Sequence, residues 1–438
     1  MNKVRLLVVT FLAGALAVLG PAAQGAFAAS SGTGPVIDVS SACAGQNAEV
    51  EQAVAPPHYV YEAWIGCGGE GFARSADGGA HFSKPVTLPD SSGSDDPAVA
   101  VARDGTVYVS YLRYHGNYAY PVVAASFDHG ATFSQAASLI PHKAGNWGDR
   151  DFIAAGRGGT VYVTWDYGPS AADVKVVCSA AGSCAYSAVD ANAVVQKSTD
   201  HGKTWGPITT MQPGFPAGGG YDAAILVQPN GLVDALILDH PLDRKTFAVH
   251  PGHELFTSSS DGGKTWSRAV VVGKSAGTTS DTEWWIDGDL STDRAGTLYA
   301  TWDTQTSSGD VGWLSHSANR GRTWSKPVRV TPGTGGTMHN VEVVGGRPGI
   351  AYVAWQTDAS PRGYATYLRP YSVTRGWLGP AIRVSNRFGS SKVWPGDTFG
   401  ITILHGGPGT GVALSWGSAV GSKDAEIYES AVTLSPRP

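Results

Sequence analysis

Carboxylates recur where β-type apolar runs begin: Asp95 and Asp96, Asp149 and Asp151, Asp222, Asp287 and Asp289, Glu342, and Asp397. Arg150, Glu283, Tyr221, His339 and Lys392 stand beside them, and a second set of runs leads into Arg113, Tyr114, His115, Tyr118, Tyr167 and His240. Alternation along a strand aims the first set at a common axis. Carboxyl groups crowded there repel one another, which raises some pKa values to give a general acid, or recruits a cation that neutralises the ring. Trp147, Trp284, Trp285 and Trp394 precede the first runs, where they are candidate platforms for the apolar face of a sugar ring. Each group also has a structural reading. Acids at strand starts cap turns by accepting backbone amides, and tryptophans wedge between sheets or cover a core.

Other chemistries lack their residues. No pair of histidines sits at helical metal-binding spacing, no Gly-x-Ser-x-Gly elbow occurs, and no phosphate-cradling glycine loop opens a helix. Serine hydrolases, zinc proteases and nucleotide enzymes are therefore unsupported. The segment from Asp287 to Asp293 superficially matches a calcium loop but lacks glycine at the sixth position. No cofactor is required by this reading; a divalent cation such as calcium is the one candidate, as a neutraliser of the acid ring.

The elements that must position these residues are written as a repeat. An eight-residue turn, Ser-x-Asp-x-Gly-x-Thr-Trp or a near copy, occurs five times, beginning at Ser75, Ser126, Ser198, Ser259 and Ser317. Asp and Ser bond nearby amides, Gly supplies a positive φ, and the terminal aromatic packs between neighbouring sheets. Around each turn lies a longer pattern of four strands. Its second strands are rich in β-branched and aromatic residues: 59–64, 107–111, 161–165, 298–302, 350–355 and 412–416, with a weaker copy at 233–238. That count gives seven units. The sixth has a decayed turn, 372–377, which keeps Gly376 and Trp377 but loses the Asp, and the seventh ends after its third strand, 425–434. The stretch from Gly34 to Ser40 copies the fourth strand from Gly379 to Ser385, so the N-terminus is expected to complete the last unit and close the ring. The expected fold is an all-β, seven-bladed β-propeller; a six-bladed ring with one stray unit is the alternative. Turns between first and second strands are short and glycine-rich, on the same side as the Ser-x-Asp turns. The long connections, and with them the candidate residues, fall on the opposite face.

The ends and the composition bound where such a protein works. Lys3 and Arg5, an apolar stretch from Leu6 to Leu19 and the small-residue site Ala26-Phe27-Ala28 read as a signal peptide over 1–28, leaving 29–438 as a single domain. The apolar run is shorter than the roughly 20 residues that span a bilayer. A secreted, extracellular protein with no membrane anchor is expected. Losing Lys3 and Arg5 from 31 basic residues leaves 29 against 36 acidic ones, a net charge of −7 that argues against nucleic acid. Four cysteines in an exported chain suggest two disulfides. Cys178 with Cys184 is the local pair, leaving Cys43 with Cys67 to pin the N-terminal segment to the first blade.

The repeated turns resemble the Asp-box, or BNR-repeat, of the sialidase-like superfamily, and the resemblance covers nearly all of the mature chain as a repeat pattern. It implies a propeller that acts on or binds an extracellular glycan or glycoconjugate; a monomer is expected. Sialidases use an arginine triad, a tyrosine nucleophile activated by a glutamate, and an aspartate. The Arg-Ile-Pro type of motif that carries their first arginine is missing, and Arg74 abuts the turn itself, so no sialidase catalytic residue carries across. Three activities follow as expectations. The first is a sialidase-like glycoside hydrolase of an acidic glycan, with Asp151, Asp289 or Glu283 as acid/base and Arg113 or Arg150 holding an anionic sugar. The second is a non-catalytic binding propeller that uses its tryptophan-bearing loops. The third is a polysaccharide lyase drawing on Tyr114, His115 and Arg113.

Overall fold

The computed structural model describes residues 31–434 apart from 116–117, 141–145, 169–173, 179–183, 189–191, 213–219, 240–251, 275–287, 305–308, 332–335, 337 and 405–409. Seven antiparallel sheets form a propeller. Their first strands are Ala48–Ala55, Asp95–Val101, Trp147–Ala155, Gly220–Val227, Gly288–Thr292, Met338–Gly345 and Gly400–Leu404, in blades 1 to 7. The second strands fall where the repeat predicts, including the weaker copy in blade 4, Val233–Asp239. They are buried because each lies between two strands of its own sheet and between two neighbouring blades. The indoles of Trp64, Trp165, Trp302 and Trp416 at their ends are fully covered.

The N-terminus closes the ring as the copied strand predicts. Ile37 and Asp38 pair with Glu429 and Tyr428 of the last strand, Glu426–Leu434, and Ser31–Thr33 continue along it opposite Leu434 to Val432. Val39 is buried in the same cluster as Trp64, Leu414 and Trp416, so the closing segment joins the cores of blades 7 and 1. The Cys43–Cys67 disulfide, with Cα atoms 4.7 Å apart, then fastens that segment to blade 1. Deleting residues 31–40 uncovers the edge of Glu426–Leu434. The expected result is a shorter chain that is cleaved faster by protease and self-associates on sizing chromatography.

Each Ser-x-Asp turn is a closed hydrogen-bond knot. In the second, the Gly130 amide donates to Ser126 Oγ at 2.8 Å, while Asp128 Oδ1 accepts the Thr132 amide at 2.9 Å and Oδ2 accepts Thr132 Oγ1 at 2.6 Å. The Thr132 hydroxyl and amide, with Ser126, hold the Asp128 carboxyl well below its ordinary range. In the decayed copy of blade 6 the hydroxyls of Ser372 and Thr374 meet at 3.1 Å where a carboxylate would sit. These turns lie against the short connections, as in the bonds from the Gly78 amide to the His58 carbonyl, His201 to Gly159 and Val373 to Gly349. The face assignment made from loop lengths therefore holds.

Blades pack closely enough that single methyl groups matter. A Cβ on Gly273, in the outer strand of blade 4, would stand 2.2 Å from the Trp302 indole of blade 5. Gly273→Ala should cost about 1–3 kcal/mol by overpacking, read as a lowered midpoint in chemical denaturation.

A buried acid pair marks the seam between blades 7 and 1. Glu62 accepts from Gln52 Nε2 at 3.2 Å, Gln52 Oε1 accepts from Thr402 Oγ1 at 2.6 Å, and the buried Glu429 lies close by. Burial pushes Glu62 up to about 8. A carboxyl raised on folding stabilises the native state fully below its unfolded pKa, and that contribution is lost as pH rises through the folded value. Stability should therefore fall between about pH 4.5 and pH 8, by about 1.4 kcal/mol per unit for one such group. Glu62→Gln should flatten this slope in denaturation measured at pH 5 and pH 8.

Candidate active site

The first strands carry a shared irregularity at their long-loop ends. Register with the second strand slips between Ala48 and Val50, Asp95 and Ala98, Asp149 and Phe152, Tyr221 and Ala223, and Met338 and Asn340. Within three of these bulges Glu49, Asp96 and Arg150 adopt positive φ, at 51°, 54° and 45°. Such a conformation is uncommon for residues with a side chain, and bulges re-aim the side chains they carry. Here they bring an acid from blade 1, an acid from blade 2 and a base from blade 3 into one cluster.

Arg150 is its centre. Its Nη2 lies 2.7 Å from Asp397 Oδ2 and its Nη1 4.0 Å from Glu49 Oε1. Blades 3 and 7 are not neighbours, so a side-chain bond between Arg150 and Asp397 closes across the axis. The Arg150 amide meanwhile donates to Asp96 Oδ2 and Asp149 Oδ1, both at 3.1 Å. Burial pushes Asp397 up to about 7. The short ion pair with Arg150 favours the charged form against this burial.

Four further acids surround this pair. Asp149 is raised well above the carboxylate range by burial first and by the charge of Asp96 next, against the pull of Arg150. Asp149 and Asp96 are hydrogen-bonded side chain to side chain, an arrangement in which one proton is shared. Asp95 is pushed up to about 6 by burial and by Asp96, and accepts a bond from the Tyr114 hydroxyl. Asp151 lies behind them, 3% exposed and raised by burial, with the Ser110 hydroxyl beside it but no well-formed hydrogen bond to either oxygen.

The remaining candidates divide. Tyr114 belongs to the cluster, its ring 38% exposed and its hydroxyl pushed upward by burial and by Asp149, Asp96 and Asp95. Arg113 is its neighbour on the strand Val107–His115, and so projects to the opposite face of that sheet, toward Tyr111. Asp289 accepts the amides of Leu290 at 2.6 Å and Val343 at 2.8 Å, tying blade 5 to blade 6, and is hydrogen-bonded side chain to side chain with Glu342, with burial raising its carboxyl. Trp394 is 37% exposed on the long connection that precedes Asp397, and the next residue, Pro395, accepts the Glu49 amide. Glu283, Trp284, Trp285, Asp287 and His240 lie outside the described residues, as do the side chains of His115, Trp147, Tyr221, Asp222 and His339. Cys178 and Cys184 are a registered pair on the hairpin Val174–Cys178 and Cys184–Ala188; their side chains also lie outside the described residues.

Glu49 is the member of the cluster that sequence reading missed. Setting its strand beside 95–98 and 149–152 would have shown that it occupies the bulge position of Asp96 and Arg150.

No protein-family model matches the sequence, and no curated protein matches it either. Solved structures do match in fold. A polysaccharide lyase of family PL25, an ulvan lyase, superposes with a TM-score of 0.57 at 11% identity, covering 90% of this chain and 96% of its own. A protein of unknown function from Dyadobacter fermentans gives 0.51 at 14%, covering 78% and 94%. The NanB sialidase of Streptococcus pneumoniae gives 0.51 at 11%, covering 78% and 68%. The chain shares its propeller fold with the sialidase and with the ulvan lyase. At these identities the likeness extends to architecture, and the chemistry of the site rests on its own residues.

Proposed function

We propose that the protein is a secreted glycoside hydrolase that cleaves an extracellular glycan at the long-loop mouth of its axis. The observation that carries this reading is the charge balance there. Glu49, Asp95, Asp96, Asp149, Asp151 and Asp397 surround a single guanidinium, Arg150, among the described residues. Glycosidic cleavage passes through an oxocarbenium-like transition state, whose positive charge an acid-rich site stabilises. Elimination by a lyase builds negative charge beside a carboxylate, which the same site would oppose.

In this reading the Asp96–Asp149 pair supplies the proton to the leaving oxygen, because burial and the neighbouring charge of Asp96 raise Asp149 and favour the shared proton. Arg150 holds the carboxyl groups of Glu49 and Asp397 where the positive charge would develop. Asp151 adds negative field from behind the pair. Trp394 offers an exposed ring at the rim for a sugar to stack on. Tyr114, with its hydroxyl held protonated by three acids, is suited to donate a hydrogen bond and unsuited to act as a base or nucleophile. This argues against a tyrosine nucleophile and against a tyrosine-based lyase.

Incubation with a panel of neutral, uronate-containing, sulfated and sialylated glycans tests the assignment. Release of saturated reducing sugar is expected. Binding of a glycan without any cleavage, across the panel, would replace the hydrolase with a binding propeller.

A further inference from the structure

The opposite end of the axis is chemically unlike the acid cluster. Where the first strands end on the short-turn face, they enclose a cavity of about 600 Å³. Arg294 and Arg347 line it from the first-to-second strand turns of the adjacent blades 5 and 6. Those turns are joined by a bond from the Arg294 amide to the Gly346 carbonyl at 3.3 Å, so the two arginines rise from adjoining turns at the same mouth. Ile403 and Leu404 of blade 7 supply apolar wall, and Ser291 and Thr410 supply hydroxyls.

Neither guanidinium has a carboxylate within ion-pair distance among the described residues. The acid in the wall, Asp293, is already engaged. Its Oδ1 accepts the Ala295 and Thr297 amides at 2.8 and 3.0 Å, and its Oδ2 accepts the Tyr299 hydroxyl at 3.0 Å and the Gly349 amide at 2.6 Å. With its lone pairs committed to the turn, Asp293 has little left to offer the arginines. Two adjacent like charges repel until an anion bridges them, and arginine forks match the oxygens of carboxylate and sulfate. A protein with an acidic balance overall thus presents a paired cationic site over an apolar wall at one mouth of its axis.

We propose that this mouth is a second ligand site, separate from the acid cluster, that binds a small organic anion through Arg294 and Arg347 with its carbon body on Ile403 and Leu404. The shared chemistry is an oxyanion group on a compact, partly apolar body, whether carboxylated or sulfated. The inference is independent of whether the acid cluster is catalytic, since the two sites share no residue.

Titration calorimetry of the full chain at low ionic strength tests it, with a sulfated disaccharide, a uronate-containing disaccharide and the corresponding uncharged disaccharide as probes. One-to-one binding of at least one anionic probe is expected, with the uncharged probe at least tenfold weaker. The preferred anion separates the sulfated from the carboxylated source. Both arginines are exposed, so Arg294→Ala and Arg347→Glu should fold as the parent does. Each should weaken the anionic probe at least tenfold, and Asp149→Asn should leave it unchanged. Failure of both anions to bind, or binding that survives Arg347→Glu in a variant with unchanged thermal midpoint, would overturn the proposal.

Discussion

Asp149→Asn should lower turnover of a cleavable glycan about 100- to 10,000-fold, the range that a positioned acid contributes, with little change in binding. The amide preserves the volume of the side chain but removes the proton that Asp149 shares with Asp96. Because burial and the Asp96 charge raise Asp149, the acid stays protonated above the ordinary carboxylate range. Activity should accordingly be retained from weakly acid pH upward and fall only as the pair loses its last proton. The pH–rate profile of Asp149→Asn should lose that alkaline limb. Asp96→Asn should move the limb downward, since removing the neighbouring charge removes one cause of the raised pKa. A purely structural role for the pair would lower stability and leave the shape of the profile unchanged.

The second large effect is on stability. Arg150→Met strips the cation from Glu49 and Asp397, which are 4% and 3% exposed at their side chains. Breaking a buried pair by removing one partner costs about 3–5 kcal/mol, because the other charge is left buried. The loss should be smallest at acid pH, where protonation of Asp397, already favoured by burial, removes the orphaned charge. Glu49→Gln combined with Asp397→Asn in the Arg150→Met background should recover much of the loss, as replacing a whole buried network costs less than orphaning part of it. If the triple variant is no more stable than Arg150→Met, the cross-axis ion pair is not what holds that mouth together.

The fold was legible in the sequence because its signals are local. A Ser-x-Asp turn needs only four side chains and a glycine to form, and the Asp128 knot shows that these residues bond to one another within the turn. The closing strand was legible for a related reason. Its sequence copies a fourth strand, and a strand that matches the repeat must pair where the repeat is incomplete. The candidate site was only partly legible. Strand alternation placed the acids near the axis, but it could not show that Asp149 pairs with Asp96 beside Arg150 while Asp289 pairs with Glu342 and accepts backbone amides of two blades. Residues adjacent in sequence also parted in space, since Arg113 and Tyr114 lie on opposite faces of one strand. The bond from Arg150 to Asp397 joins positions 247 residues apart across the ring and has no local signature at all.

These features frame what the repeated turns do. They set the blade spacing on one face, and the bulges they leave free on the other face turn Glu49, Asp96 and Arg150 inward. The two mouths of one axis thereby acquire opposite charge, an acid cluster at the long loops and paired arginines at the short turns. Function on this scaffold is then decided by which transition state the acid mouth favours.

Cleavage in water enriched in oxygen-18, followed by mass spectrometry of the fragments with absorbance monitored for unsaturated ends, tests that point most directly. Each cleaved bond should yield a saturated reducing end carrying one heavy oxygen, and Asp149→Asn should abolish it. An unsaturated uronate end without label, or labelled product formed undiminished by Asp149→Asn, would contradict this mechanism.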